Sequence, residues 1–523
     1  MKNNLPLNWC FAKLKDICVI IPGTGFPKKL QGNLEGKYPF FKVGDISKNI
    51  QSGHRYLKLC DNFVNEEQVQ ETKGKLLPPN SIVFAKIGEA LKLNRRGIIT
   101  CPSLIDNNLV GIKSLNNIVI NDLYLFLFFK TIRLEKYSRS TTVPSVRKSD
   151  IEQIDIPLPP LNEQQRIVNK IEELFSELDA GVESLKTAQA QLKRYRQSVL
   201  KSAFEGKLTA EWREQQQEEG NLESAEELLQ KIQEERQNRY QKELEAWKKE
   251  VELWEENGKL GKKPKKPQKP KELSPLTEAE LAELSSIPKD WVFQRLGNIS
   301  KKIKIGPFGS LLHKSDYVYG QIPIVNPSHI KQGKIVTDNN FTITQNKWEE
   351  LSSYALAKED IVFARRGEMG RCAVVTENEN GFLCGTGSLL IRLSSICSSK
   401  FYYLILSSQT TINYFKTMSI GTTMRNLNEN ILNQVPVPLC SLKEQNKIVE
   451  EIESRFSICD QLEATITENL QKSEALRQSI LKQAFSGKLV PQDPNDEPAS
   501  VLLERIKQEK ENAQNLTQTS LNV

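Results

Sequence analysis

The chain contains one long segment twice. Pro157 to Leu208 reads PLPPLNEQQRIVNKIEELFSELDAG…RQSVLKSAFEGKL, and Pro438 to Leu489 reads PLCSLKEQNKIVEEIESRFSICDQL…RQSILKQAFSGKL, aligned without a gap. A repeat of this length constrains the fold more than any local motif. Each copy follows a β-rich stretch, so the whole unit is duplicated. LPLNWCFAKLKDI from Leu5 matches IPKDWVFQRLGNI from Ile287, which pairs Trp9 with Trp291, Phe11 with Phe293 and Leu14 with Leu296. SIVFAKIGEA from Ser81 matches DIVFARRGEM from Asp360, and Ser140-Thr141-Thr142 matches Gly421-Thr422-Thr423. Between these islands the copies diverge. A shared frame with different fill suits a target with two unlike halves.

Composition removes several classes of answer. At 523 residues the chain is long enough for two to four domains, each with its own core. Lys and Arg number 72 against 65 Asp and Glu, a net +7, so basic residues matter by location rather than by total. Nine cysteines with no C-x-x-C pair read as reduced, half-buried thiols of a cytoplasmic protein. The most apolar run, Ile118 to Phe129, includes Asn121 and Asp122 and is too short to span a bilayer.

The pattern along the chain predicts an α+β fold with a pseudo-twofold internal repeat: two similar β-rich domains joined by two long antiparallel coiled-coil helices. Residues 1–160 form the first domain, with short apolar runs punctuated by Gly, Pro and Asn and a helix over Asn121 to Tyr137. A spacer helix fills 161–206. Its stripe is Ile171, Leu174, Leu178, Leu185, Ala188, Leu192, Tyr195 and Val199, at three- and four-residue steps. Residues 286–440 form the second domain, where Lys400 to Phe415 answers the first domain's helix. Residues 441–487 form the second spacer helix, with Ile452, Cys459, Leu462, Ile466, Leu476 and Ile480 on its stripe. Gly206 and Gly487 are the expected C-terminal caps, and Ser441 with Glu444 the expected capping box. Between the repeats, 207–285 reads as a helical linker ending in KKPKKPQKPK (Lys262–Lys271), a solvated spacer that three prolines keep from being helical. In the tail, 488–523, Glu497, Ala499, Leu502 and Ile506 echo Glu223, Ala225, Leu228 and Ile232 of the linker.

Catalytic signatures are missing. The sequence has no G-x-x-x-x-G-K-[ST], no G-x-G-x-x-G after a strand and no Asn-Pro-Pro-aromatic or Asp-Pro-Pro-aromatic adenine-methylation signature. Three scattered histidines give no metal cluster. What remains is binding. The identical I-V-F-A strands lead into two basic loops, one with Lys86, Lys92, Asn94, Arg95 and Arg96, the other with Arg365, Arg366 and Arg371. Arg suits bidentate contact with guanine or phosphate, and Asn suits adenine. The bland alternative is that these arginines pair with Glu89 or Glu368. Further polar islands could read base edges or hold phosphates. They are Thr24, Lys28 and Lys29; Thr141, Thr142, Ser145, Arg147 and Lys148; Asn326, Ser328 and His329; and Thr422, Thr423, Arg425 and Asn426.

Taken in order, the motifs resemble the specificity subunit of type I restriction–modification systems. The shared pattern is P-x-x-W at Pro6 and Pro288, IVFA-[KR]-x-GE, and P-L-x-x-L-x-EQ-x-x-I-V before a long helix ending in RQS-[VI]-LK-x-AF-x-GKL. The resemblance implies two target recognition domains, each reading one part of a split asymmetric site in double-stranded DNA, with the helix pair as a ruler between them. It implies no active site and no cofactor in this chain. Two modification subunits would carry S-adenosylmethionine and methylate adenine, and two restriction–translocase subunits would use ATP and Mg²⁺. Three other readings stay open: the specificity subunit of an orphan adenine methyltransferase, a coiled-coil scaffold that does not bind DNA, and a self-sufficient nuclease.

Overall fold

The computed structural model describes residues 5–115, 119–138, 143–270, 272–418 and 426–508. The chain divides into two units: Met1–Lys186 with Ile466–Val523, and Thr187–Thr465. Five helices organise them: α1 (Asp122–Thr131), α2 (Leu161–Phe204), α3 (Ala225–Glu256), α4 (Ser399–Leu406) and α5 (Leu442–Ala484). The long helices α2 and α5 each contribute one part to each unit.

In the first unit the strands are β1 (Cys10–Lys13), β2 (Cys18–Pro22), β3 (Tyr38–Phe41), β4 (Tyr56–Leu57), β5 (Phe63–Val64), β6 (Ile82–Ala85), β7 (Arg96–Ile99), β8 (Leu104–Ile105), β9 (Leu109–Ser114) and β10 (Asp155–Leu158). They form a five-stranded sheet in the order β2-β9-β6-β7-β4, a three-stranded sheet β5-β3-β8 and a two-stranded β1-β10. Strand β6 reads as an unbroken apolar run because both its faces are covered. Ile82 and Phe84 enter one core with Tyr124 and Phe129 of α1, while Val83 and Ala85 enter another with Leu57 and Leu77.

The second unit repeats the plan with β11 (Val292–Arg295), β12 (Ser300–Ile305), β13 (Tyr317–Val318), β14 (Ile322–Val325), β15 (Ile330–Lys331), β16 (Lys334–Ile335), β17 (Thr342–Ile343), β18 (Ile361–Ala364), β19 (Cys372–Val374), β20 (Leu383–Cys384), β21 (Ser388–Leu393) and β22 (Pro436–Leu439). Its sheets are β12-β21-β18-β19, β13-β17-β14-β20, β15-β16 and β11-β22. Strand β18 again divides its residues, Ile361 and Phe363 to one core, Val362 and Ala364 to another. The ladders agree residue for residue: Ile82 to Ala85 pair with Ile112 to Leu109, and Ile361 to Ala364 pair with Ile391 to Ser388.

Beneath each sheet lies a tryptophan socket. The Trp9 indole donates to Glu163 at 3.0 Å, and that of Trp291 donates to Glu444 at 2.8 Å. Gly206 and Gly487 end their helices with φ of 68° and 72°, the left-handed geometry expected of caps. A Cβ on either would stand 2.4 Å from Pro288 or 2.3 Å from Pro6, so the proline of each P-x-x-W turn rests on a glycine. The tail's echo of the linker is structural too. Ala499 donates its N–H to Asn8 O and Ala225 to Asp290 O, and Ala499 and Ile506 are buried in the first unit as Ala225, Leu228 and Ile232 are in the second.

The helix halves run antiparallel within each unit. In the first, Ile167, Val168 and Ile171 share a core with Ile480, Leu481 and Ala484, and Asp179 pairs with Arg477. In the second, Val199, Leu200 and Ala203 share a core with Ile448, Val449 and Ile452, and Arg196 pairs with Asp460 at 2.6 Å. Parts of the expected stripe are displaced. Tyr195, Leu462 and Leu476 are 44%, 48% and 49% exposed, although Val199, Ile466 and Ile480 farther along the same helices are buried. The adjacent Arg196 and Arg477 lie over Phe456 and Phe175 instead. The capping box is half made: Ser441 accepts from Glu444 N, but the Glu444 carboxylate serves the tryptophan socket. The predicted helix over Asn121 to Tyr137 stops at Thr131 and resumes as a short turn, Leu134–Tyr137. Its counterpart likewise breaks after Leu406 and restarts at Gln409.

Candidate nucleic-acid interface

The strand pair β6/β18 ends each time at a cluster of loops held by one set of backbone hydrogen bonds. Lys86 N donates to Asn108 O at 2.9 Å, and Arg365 N to Gly387 O at 2.9 Å. Val146 N returns to Lys86 O at 2.9 Å, and Leu427 N to Arg365 O at 3.1 Å. Gly23 N reaches Leu109 O, and Gly306 N reaches Ser388 O. A Cβ on Gly23 would lie 1.8 Å from Asp106 O, and one on Gly306 2.1 Å from Gly385 O, so both positions require glycine for the same close approach. These glycines carried no motif in the sequence; aligning IPGTG with KIGPFG would have found them.

In the second unit the cluster brings together Asn326, Arg365, Arg371 and Asn426. The Arg365 Nε donates to Leu427 O at 2.8 Å; burial pulls its pKa down, and neighbouring Arg366 adds to this. Arg366 itself is exposed. Gly367 and Gly370, at φ of 84° and 82°, turn the loop back to Arg371. Arg371 is half-buried, and its Nε has no partner among the described residues. Asn326 lies against Gly385, where a Cβ would be 2.3 Å from its Oδ1. The Oδ1 atoms of Asn326 and Asn426 are buried without a partner among the described residues. Buried amide acceptors beside arginines are expensive to leave unmatched. Thr386 ties the cluster to the 306–309 loop by donating to Pro307 O at 2.7 Å.

In the first unit the loop carries Gly88, a short helix Glu89–Lys92, Asn94 in the left-handed region at φ 54°, and a half-buried Arg95. Lys92 pairs with Glu89 at 2.6 Å, the bland alternative realised at a lysine rather than an arginine. Lys148 pairs with Glu152 at 3.6 Å, and Arg147 is exposed. Thr24 donates to Thr72 O at 2.9 Å, and Lys29 pairs with Glu71. Thr141, Thr142, Thr422, Thr423 and Arg425 lie outside the described residues.

Two expected contact residues belong to the interior. Arg96 is 0% exposed. Its Nη2 donates to Ile132 O at 2.6 Å, its Nη1 to Asn94 O at 3.2 Å, and it lies over Phe84 and Phe129. Burial, with Arg133 nearby, lowers its pKa to about 9. The same contact explains the broken helix, since Ile132 is extended and its carbonyl faces the guanidinium. The ladders identify the true equivalents: Phe84 pairs with Arg96 and Phe363 with Cys372. Arg95 therefore corresponds to Arg371, and Arg96 to a buried cysteine. His329 is also interior, 5% exposed, with Nδ1 2.8 Å from Ile324 O and its ring edge-on to Phe341.

Comparison with known proteins identifies the family. Residues 6–193 and 288–472 match the family described as the type I restriction modification DNA specificity domain. The Escherichia coli type I restriction enzyme EcoDI specificity subunit is 23% identical over 97% of this chain and 96% of its own length. The EcoBI specificity subunit of the same species is 25% identical over 96% and 92%. The HsdS subunit from Thermoanaerobacter tengcongensis shares the fold with a TM-score of 0.52 at 16% identity, covering 93% of this chain and 99% of that one. A chain solved in work on complex assembly and conformational transition of the type I R-M system has a TM-score of 0.64 at 17% identity, over 93% and 100%. With the family matched twice, once over each repeat, the chain belongs to the type I restriction–modification DNA specificity subunits, whose part in the complex is sequence recognition rather than catalysis.

Proposed function

We propose that the two loop clusters each read one part of a split, asymmetric site in double-stranded DNA. The supporting observation is the pairing of identical β6 and β18 ladders with unlike loop chemistry. One frame presents Lys86, Asn94 and Arg95; the other presents Asn326, Arg366, Arg371 and Asn426. Within the assembly, two modification subunits bring S-adenosylmethionine for adenine methylation, and two restriction–translocase subunits bring ATP and Mg²⁺. This chain holds none of these and works in the cytoplasm. Among the described residues no helix is long and apolar enough to cross a membrane.

The test is half-site selectivity. Arg366→Ala and Arg371→Ala should relax one half of the methylated site, and Arg95→Ala the other. Each lost bidentate base contact costs about 1–3 kcal/mol of discrimination. Sequencing methylated adenines in cells carrying each variant measures this directly. Wild-type methylation from all three variants would refute the loop assignment.

A further inference from the structure

The KKPKKPQKPK run is not a free spacer. After α3 the chain reverses through Gly258, Lys259 and Gly261, at φ of 70°, 61° and 84°, and runs back along the helix. The Trp254 indole donates to Gly261 O at 3.3 Å, the Trp247 indole to Pro264 O at 3.0 Å, and Gln233 to Glu272 at 2.8 Å. The spacing is self-consistent. Seven helical residues from Trp247 to Trp254 rise about 10.5 Å, and three polyproline residues from Gly261 to Pro264 rise about 9.3 Å. Polyproline II has three residues per turn, so a proline at every third position falls on one edge. Pro264, Pro267 and Pro270 are half-buried, whereas Lys262, Lys263, Lys265, Lys266 and Lys269 are exposed. Tyr240, Leu244, Trp247, Val251 and Trp254 are the half-buried helical residues over the same length. Lys263 lies 5.7 Å over Trp254 and Lys266 5.8 Å over Trp247.

The arm is rooted in the second unit. Glu235 bonds Lys301, Ser394 and Ser395, Arg236 donates to Asn298 O, and Arg239 donates to Lys301 O. The last two contacts advance along the chain toward β12, whose far end carries the Gly306 loop of the candidate interface. The arm is therefore a preformed ridge of five lysines spread over about 22 Å at 3.1 Å per residue. No ion pair to any of the five occurs among the described residues.

We propose that this helix–polyproline arm is a sequence-independent contact for the phosphate backbone of DNA. It rests on the reading that the chain binds DNA, and it adds affinity without adding specificity. Charge complementarity favours the occupant: exposed lysines with no ion-pair partner among the described residues meet one phosphate charge per about 1.7 Å of duplex axis. Lysine, a hydrated point charge, suits phosphate better than it suits a base edge.

The experiment compares the complex with its modification subunits as wild type, as the fivefold Lys→Gln variant of the ridge, and as the fivefold Lys→Arg variant. Binding to a duplex with the recognised site and to an unrelated duplex is titrated between 50 and 200 mM salt. The Gln variant should bind both duplexes at least 10-fold more weakly at low salt. Its log–log salt slope should be shallower by roughly 2–4, at about 0.9 per phosphate released. Site preference should be unchanged, and the Arg variant should match wild type. Tryptophan fluorescence checks that the arm stays folded. An unchanged slope in the Gln variant overturns the proposal, as does equal loss in the Gln and Arg variants. Weaker assembly with the modification subunits at an unchanged slope assigns the ridge to an acidic protein face and also overturns it. Wild-type failure to prefer its site would count against the half-site reading, while the slope still tests the arm.

Discussion

The tryptophan sockets and the loops of the candidate interface belong to the same repeat and differ in what the two copies share. In the sockets, Trp9 and Trp291 bond the same glutamate position of the repeat and stack the same proline on the same glycine. At the loops, one ladder position holds Arg96 and the other Cys372, both buried. A buried carboxylate tolerates few solutions, because any unmatched group there costs its full desolvation. A loop that faces a ligand need only keep its backbone bonds. The buried bonding pattern is kept in one region, while in the other the backbone bonds are kept and the side chains differ.

Even the sockets differ in how the carboxylate is compensated, which gives the largest expected effect. Glu444, 1% exposed, receives bonds from Trp291, Thr209 and Arg213. Glu163 receives bonds from Trp9 and Gln492, and burial raises its pKa. Arg213→Ala should cost about 3–5 kcal/mol by stranding a buried charge. Gln492→Ala should cost about 1 kcal/mol, the loss of one hydrogen bond. Urea unfolding of both variants measures the gap, and equal losses would erase the distinction between the sockets.

Next is the divergent ladder position. Arg96→Ala should cost about 2–4 kcal/mol, since it opens a cavity and orphans Ile132 O. Cys372→Ala should cost about 1 kcal/mol. Neither should alter which bases are methylated. A changed methylation site in a folded Arg96 variant would return that residue to the reading surface.

The smallest effect sharpens the contrast between the linker and its echo in the tail. Burial opposes ionisation of Glu235, but Lys301, Ser394 and Ser395 more than offset it and hold its pKa down at about 2. A depressed carboxylate stabilises the folded form above its ordinary pKa, near 4.5. That contribution is lost as pH falls from about 4.5 toward 2. Glu235 is half-buried and partly screened by solvent, so the gain is held to the order of 1 kcal/mol. Hydrogen exchange should show the α3 root loosening over that window. Glu235→Gln should abolish the pH dependence, and its persistence would exclude Glu235 as the cause.

Much of this was readable from the chain. The repeat set the strands, both long helices and their glycine caps, because periodicity and capping are local. Arg96 was misjudged because its charge outweighed its setting. Aligning RRGIIT with RCAVVT places it opposite Cys372, inside a strand whose neighbours are all apolar. His329 failed for the same reason, since a polar side chain can be satisfied by the backbone folding round it. The exposed stripe residues show that a heptad position alone does not decide burial, since the adjacent Arg196 and Arg477 take the contact with Phe456 and Phe175. The Lys/Pro arm was missed because its partners, Trp247 and Trp254, lie in the preceding helix, and its threefold period matches neither a helix nor a strand.

The discontinuity of the first unit has a consequence for how the protein is made. Its core takes Ile480, Leu481, Ala484 and Ala499 from the segment beginning at Ile466, while Trp9 and Glu163 are synthesised long before. At roughly 5–20 residues per second, the whole of Thr187–Thr465 emerges from the ribosome in the interval, a delay of tens of seconds. Throughout that time Ile167, Val168 and Ile171 have no helical partner. The first domain to be translated is thus the last to close.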